Sequence, residues 1–130
     1  MENTVLEKFH QGRQSLGTFS AIGSPLAVES LRYTGLDYVI VDTEHSPAGI
    51  ESAAAQIAAA QGAGLTALAR ANEISRTAVL RLLDVGAQGV VVPCVETVEE
   101  VRELVRYAKF APLGLSLIHI SEPTRPEPIS

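Results

Sequence analysis

Apolar positions along the chain follow two alternating rhythms. Short β-prone runs at residues 16–22, 38–41, 66–69 and 89–92 are separated by longer segments whose apolar residues recur every three or four positions. Val5, Leu6 and Phe9 mark a first helix over 4–11, stopped at Gly12. Thr18 and Phe19 give the first strand its β-propensity. Ser24 then serves as an N-cap with Pro25 at the first helical position, and Val28 and Leu31 continue toward Gly35. After the second strand, Ile50, Ala54, Ile57 and Ala58 keep the helical period over 48–62, ended by Gly62 and Gly64. Arg70 sits at the end of the third strand, and Ser75 caps a helix with Val79, Leu80 and Leu83 as its buried stripe, running to Gly86. Pro93 stops the fourth strand. Thr97-Val98-Glu99-Glu100 is a capping box for a helix with Val98, Val101, Leu104, Val105 and Ala108 on one face.

Four strand–helix units in succession predict an α/β fold with a parallel sheet, either doubly wound or a (β/α)8 barrel. Ala21-Ile22-Gly23-Ser24-Pro25 lacks the glycine fingerprint of a dinucleotide-binding sheet, so the barrel is preferred. A complete barrel takes roughly 250 residues. The parallel (β/α) units here are therefore expected to form the first half of a truncated TIM barrel, over residues 1–114.

Composition narrows the picture. With 46% hydrophobic residues the chain can bury a core, but only 5% are aromatic and Trp is absent, so that core must be Ala, Val, Leu and Ile. A net charge of −5 provides no basic footprint for nucleic acid or anionic lipid. The single cysteine, Cys94, excludes an internal disulfide framework and fits a reducing compartment. No signal-peptide pattern or membrane-length apolar run is visible, so a soluble cytoplasmic protein is expected.

Beyond Gly114 the pattern breaks. A fifth strand and helix should follow, but residues 115–130 read Leu-Ser-Leu-Ile-His-Ile and then a proline-rich string. Residues 115–125 resemble a conceptual translation of a transposase adapter used in preparing sequencing libraries. The tail is therefore expected to be non-native, and His119 enters no site. The alternative is a genuine strand at 115–120 with a proline-rich tail.

Candidate chemistry gathers where the second strand ends, in Asp42-Thr43-Glu44-His45-Ser46-Pro47. In a parallel barrel this end faces the same rim as Arg70. A His beside a carboxylate is suited to general base work, because the anion orients the ring and favours its protonated form. An Arg close by can hold a substrate carboxylate through two parallel hydrogen bonds and stabilise oxyanion charge. Each residue has a plainer reading: Asp42 as a turn cap, Glu44 as a solvated charge, Arg70 in a structural ion pair, His45 as a surface histidine. Asp84, from spacing alone, is a solvated helix residue. Glu96 is a weaker candidate, and Cys94 reads as a small buried apolar group without a base beside it. The only lysines, Lys8 and Lys109, lie on helices, so Schiff-base chemistry has no lysine at a strand end in this region. Carbonyl chemistry in this half would need a metal as electron sink; Asp42, Glu44 and His45 could be ligands by residue type, yet their bunching on one turn argues against a complete metal site from them alone.

Together, Val41-Asp42-Thr43-Glu44-His45-Ser46-Pro47, Ala69-Arg70, Arg81-Leu82-Leu83-Asp84-Val85-Gly86-Ala87, Val92-Pro93-Cys94-Val95-Glu96-Thr97 and Tyr107-Ala108-Lys109-Phe110-Ala111-Pro112-Leu113-Gly114 resemble the amino-terminal half of the HpcH/HpaI aldolase and citrate lyase family. The resemblance implies a barrel enzyme, a divalent-metal-dependent (Mg²⁺, Mn²⁺ or Co²⁺) aldolase that cleaves 4-hydroxy-2-oxo acids to pyruvate and an aldehyde. It implies His45 as acid/base, Arg70 as transition-state stabiliser, Asp84 as the group that raises the basicity of His45, Asp42 as a further partner, and Phe19 near the aldehyde. It also implies a homo-oligomeric parent, a hexamer. The family's metal-binding Glu and Asp and a substrate-contacting Gln have no matching positions here, so no metal ligand, no bound metal and no activity are expected of this chain alone. Two other readings are a non-catalytic, self-associating half-barrel and a citryl- or malyl-CoA-type lyase of the same fold.

Overall fold

A computed structural model of the chain describes residues 2–43 and 49–109. Helix α1 (Thr4–His10) is followed by strand β1 (Gly17–Ser20), helix α2 (Pro25–Glu29), strand β2 (Tyr38–Asp42) and helix α3 (Ile50–Gly62). Strand β3 (Thr66–Arg70), helix α4 (Arg76–Asp84), strand β4 (Gly89–Val91) and helix α5 (Val98–Lys109) complete the order. The strands form one parallel sheet in the order β1-β2-β3-β4. Sequential parallel neighbours joined by helices are the repeating unit of a barrel wall. The fifth strand and residues 115–130 lie outside the described residues.

Alternation along the strands separates two faces. Val39 and Val41 of β2 and Ala67 and Ala69 of β3 are fully buried, and they meet Ala53, Ile57 and Ala60 of α3. Small alanines let α3 lie close to the sheet, as the low aromatic content requires. On the opposite face lie Gly17 and Phe19, Tyr38, Ile40 and Asp42, and Leu68 and Arg70, with Gly17 level with Tyr38 and Phe19 with Ile40. Gly17 is needed there because a Cβ would run into the Tyr38 ring.

Helix α1 sits against the strand beginnings. Lys8 Nζ lies 2.8 Å from Asp37 Oδ1, the Leu16 amide donates to Asp37 Oδ2 at 2.9 Å, and the Thr4 amide donates to Thr66 Oγ1 at 2.8 Å. Donation from Lys8, then from the Leu16 amide, lowers the Asp37 pKa. The expected capping box is present: Glu100 accepts from the Glu96 and Thr97 amides, and its own amide donates to Thr97 Oγ1 at 3.1 Å.

Three expectations need correction. The second helix is not continuous to Gly35, because after α2 residues Ser30–Tyr33 wind as a 3-10 turn. Ser30 Oγ donates to the Ala27 carbonyl and Thr34 Oγ1 to the Leu31 carbonyl, and such back-bonding competes with helix continuation. Leu82 rather than Leu83 enters the core of α4; Leu83 lines an apolar groove with Val90, Val101 and Val105, which face it from β4 and α5. Cys94 is exposed, because it takes a left-handed φ of 60° in the turn after Pro93 and so leaves the sheet.

Candidate functional site

The parallel register sets Asp42 opposite Arg70, and both project from the open face of the sheet at the strand exits. Arg70 Nε donates to Asp42 Oδ1 at 3.2 Å and Nη2 to Oδ2 at 2.8 Å, a two-bond fork. The Asp42 side chain is 4% exposed and that of Arg70 22%, so the pair lies at the floor of the rim. Charge-assisted bonds of this geometry are among the stronger polar contacts a protein makes. Asp42 is thus an ion-pair partner of Arg70, and the guanidinium edge formed by Nε and Nη2 already holds a carboxylate.

Phe19 completes the group. Its ring centroid lies 4.8 Å from Arg70 Cζ, although Phe19 belongs to β1, two strands away. A guanidinium over an aromatic face gains about 0.5–2 kcal/mol, more as water is excluded. Three strands therefore deliver an aromatic plate, a cation and a buried anion to one place. Thr43 ties the exit together, its amide donating to the Arg70 carbonyl at 3.2 Å and its hydroxyl to the same oxygen.

Not every candidate converges there. Glu44 and His45 lie outside the described residues. Asp84 is exposed at the carboxyl end of α4, which returns antiparallel to the strands and hands over to the start of β4. Gln61, near the end of α3, donates to the Gly86 carbonyl at 2.9 Å just past Asp84, which fixes that corner at the opposite end of the sheet from Arg70. With five residues in β3, the separation along the sheet is about 16 Å. Glu96 is exposed, with its amide engaged in the α5 cap.

Behind the rim lies a polar pair absent from the sequence-based candidates. Gln56 of α3, 1% exposed, accepts from Ser20 Oγ at 2.9 Å and donates to Ser52 Oγ at 3.2 Å. The signal was available: Gln56 falls between Ala53, Ile57 and Ala60 on the stripe that faces the sheet.

Among the described residues, no group of three or more His, Cys, Asp or Glu stands close enough to hold a metal ion, and none of the helices is long and apolar enough to cross a membrane. Since Asp42 is committed to Arg70, the described donors do not fit a divalent cation.

A family model described as HpcH/HpaI aldolase/citrate lyase matches residues 15–119. A hydroxypyruvate/pyruvate aldolase of Roseovarius nubinhibens is 33% identical over 113 residues, which is 87% of this chain and 44% of that protein. A 4-hydroxy-2-oxo-heptane-1,7-dioate aldolase of Escherichia coli is 30% identical over 115 residues, 88% of this chain and 44% of the relative. A crystal structure of a family protein from Burkholderia cenocepacia superimposes with a TM-score of 0.77 at 30% identity, covering 88% of this chain and 46% of the other. The chain thus spans under half the length of the curated relatives it matches.

Proposed function

Because the chain belongs to the HpcH/HpaI aldolase/citrate lyase family, we propose that it is the amino-terminal portion of a carbon–carbon lyase that cleaves 4-hydroxy-2-oxo acids to pyruvate and an aldehyde. The observation that carries this reading is the Phe19–Arg70–Asp42 cluster at the strand exits, where a barrel of this kind does its chemistry. A guanidinium held in place by a buried carboxylate needs little reorganisation when anionic charge develops on a substrate oxygen, the condition for electrostatic stabilisation. Arg70 supplies that charge, Asp42 fixes its orientation, and Phe19 forms an apolar wall on the aldehyde side.

His45, three residues past Asp42, is the proposed acid/base. Asp84 of the same chain stands at the far end of the sheet from the β2 exit, and its proposed effect on His45 is assigned to Asp84 of a second copy. The proposed homo-oligomer accommodates that assignment. The divalent ion is assigned to the remainder of the parent protein, and no step is routed through it here. The 130-residue chain, ending in a segment proposed to be non-native from residue 115, is expected to be inactive by itself.

The test is to express the reading frame with its genomic continuation beyond Gly114 and measure pyruvate release from a 4-hydroxy-2-oxo acid, with and without chelator. Turnover that requires metal, and that falls at least about a hundredfold in Arg70→Ala and His45→Ala, is expected from the loss of charge stabilisation and of acid/base catalysis. Full activity in His45→Ala, or turnover insensitive to chelator, refutes the assignment.

A further inference from the structure

Phe19 is half exposed, 51% by area, and β1 is an edge strand of four residues that pairs with β2 alone among the described residues. Among the described residues, no strand lies on the other side of β1 to hold the ring over Arg70. One constraint on the ring acts through the backbone of β1, and the next residue, Ser20, supplies it.

Ser20 points to the helical side of the sheet, where its hydroxyl donates to Gln56 Oε1 at 2.9 Å. Gln56 Nε2 in turn donates to Ser52 Oγ at 3.2 Å, and Ser52 Oγ donates to the Gly23 carbonyl at 3.4 Å. One buried amide thus braces both the last residue of β1 and the turn beyond it, where Gly23 takes a φ of +84°. An amide in this position would be costly if unpaired, and an alanine-rich helix facing a sheet has no packing need for one. Its oxygen is spent on the segment that carries Phe19, and its nitrogen reaches the turn beyond through Ser52 of its own helix.

We propose that Gln56 is a positioning residue: through Ser20 and Ser52 it fixes the exit of β1, and thereby holds the Phe19 ring against Arg70 at the aldehyde side of the site. The geometric part stands on these contacts, while its consequence for aldehyde recognition rests on the aldolase reading. Gln56→Met keeps length and approximate volume and removes both hydrogen bonds, whereas Ser20→Ala removes only the bond to β1.

The Phe19 ring current on the Arg70 side-chain protons, read by NMR in the 130-residue chain, tests the geometry without any requirement for turnover. Phe19→Leu defines the shift with the ring absent. Gln56→Met and Ser20→Ala are each expected to lose more than half of the difference, and the double variant no more than the larger single loss, since both break one connection. An unchanged Arg70 shift in Ser20→Ala overturns the proposal, even if Gln56→Met fails to fold. In the metal-dependent full-length protein, the same variants are expected to raise the KM for the aldehyde about fivefold, the size of one net hydrogen bond, with kcat within about twofold. A fall in kcat with unchanged KM overturns the aldehyde-side assignment. Absence of turnover in the unmodified enzyme removes the aldolase reading and leaves the NMR result to decide the positioning role.

Discussion

Replacing Asp42 by Asn should destabilise this fold far more than a surface substitution. The change is nearly isosteric, so no cavity opens, and the loss is electrostatic: Arg70 keeps its charge while a neutral amide replaces the carboxylate 2.8 Å from Nη2. Removing one partner of a buried pair costs about 3–5 kcal/mol, because the survivor stays desolvated. The Arg70 side chain retains 22% exposure and can recruit water, which puts the expected loss near the lower bound, about 3 kcal/mol. For a unit of this size each kcal/mol moves Tm by about 4–8 °C, so a fall of roughly 12–24 °C is expected. Urea unfolding followed by circular dichroism at neutral pH, compared with Arg70→Gln and the double variant, gives the measurement. The double should recover at least about 1 kcal/mol relative to the sum of the singles, because residues in direct contact do not add. A loss under about 1 kcal/mol, or strict additivity, would show that the fork contributes no more than an exposed pair.

Asp84→Asn should do the reverse: stability within about 0.5 kcal/mol, since the residue is exposed and its charge lies at the unfavourable end of α4, but a clear drop in turnover of the proposed full-length oligomer. A stability loss matching Asp42→Asn would instead place Asp84 in the core of its own chain. Gly17→Ala should cost about 1–3 kcal/mol by chemical denaturation, because the new methyl meets the Tyr38 ring; an unchanged midpoint would mean that the ring turns away freely. Acid should loosen α1. With the Asp37 pKa lowered in the folded state, first by donation from Lys8, its contribution is complete above the ordinary carboxylate value and is lost as pH falls through the depressed one. Amide exchange in α1 should therefore quicken below about pH 4, and a Lys8→Met variant that kept the same acid profile would contradict this.

Element order, strand number and most caps were legible in the chain because each has a local cause. Ser24-Pro25, Ser75 and the Thr97–Glu100 box fix helix starts through side chains that reach only three residues. Asp42 and Arg70 were identifiable as strand-end residues for the same reason. Their mutual engagement was not, because 28 residues separate them and only the zero offset of β2 on β3 makes them neighbours. Periodicity likewise could not say that Cys94 turns outward, that Ser30 tightens α2, or that Leu82 and not Leu83 meets the sheet.

What the sequence determined by itself is a succession of four β/α units with polar groups at the second and third strand exits. Tertiary structure alone decided the partners: Phe19 over Arg70, Arg70 on Asp42, Gln56 behind Ser20, and Asp84 at the far end. The physical reason is range. Propensity and capping act within a turn or two, while register and helix polarity set which distant side chains share a face.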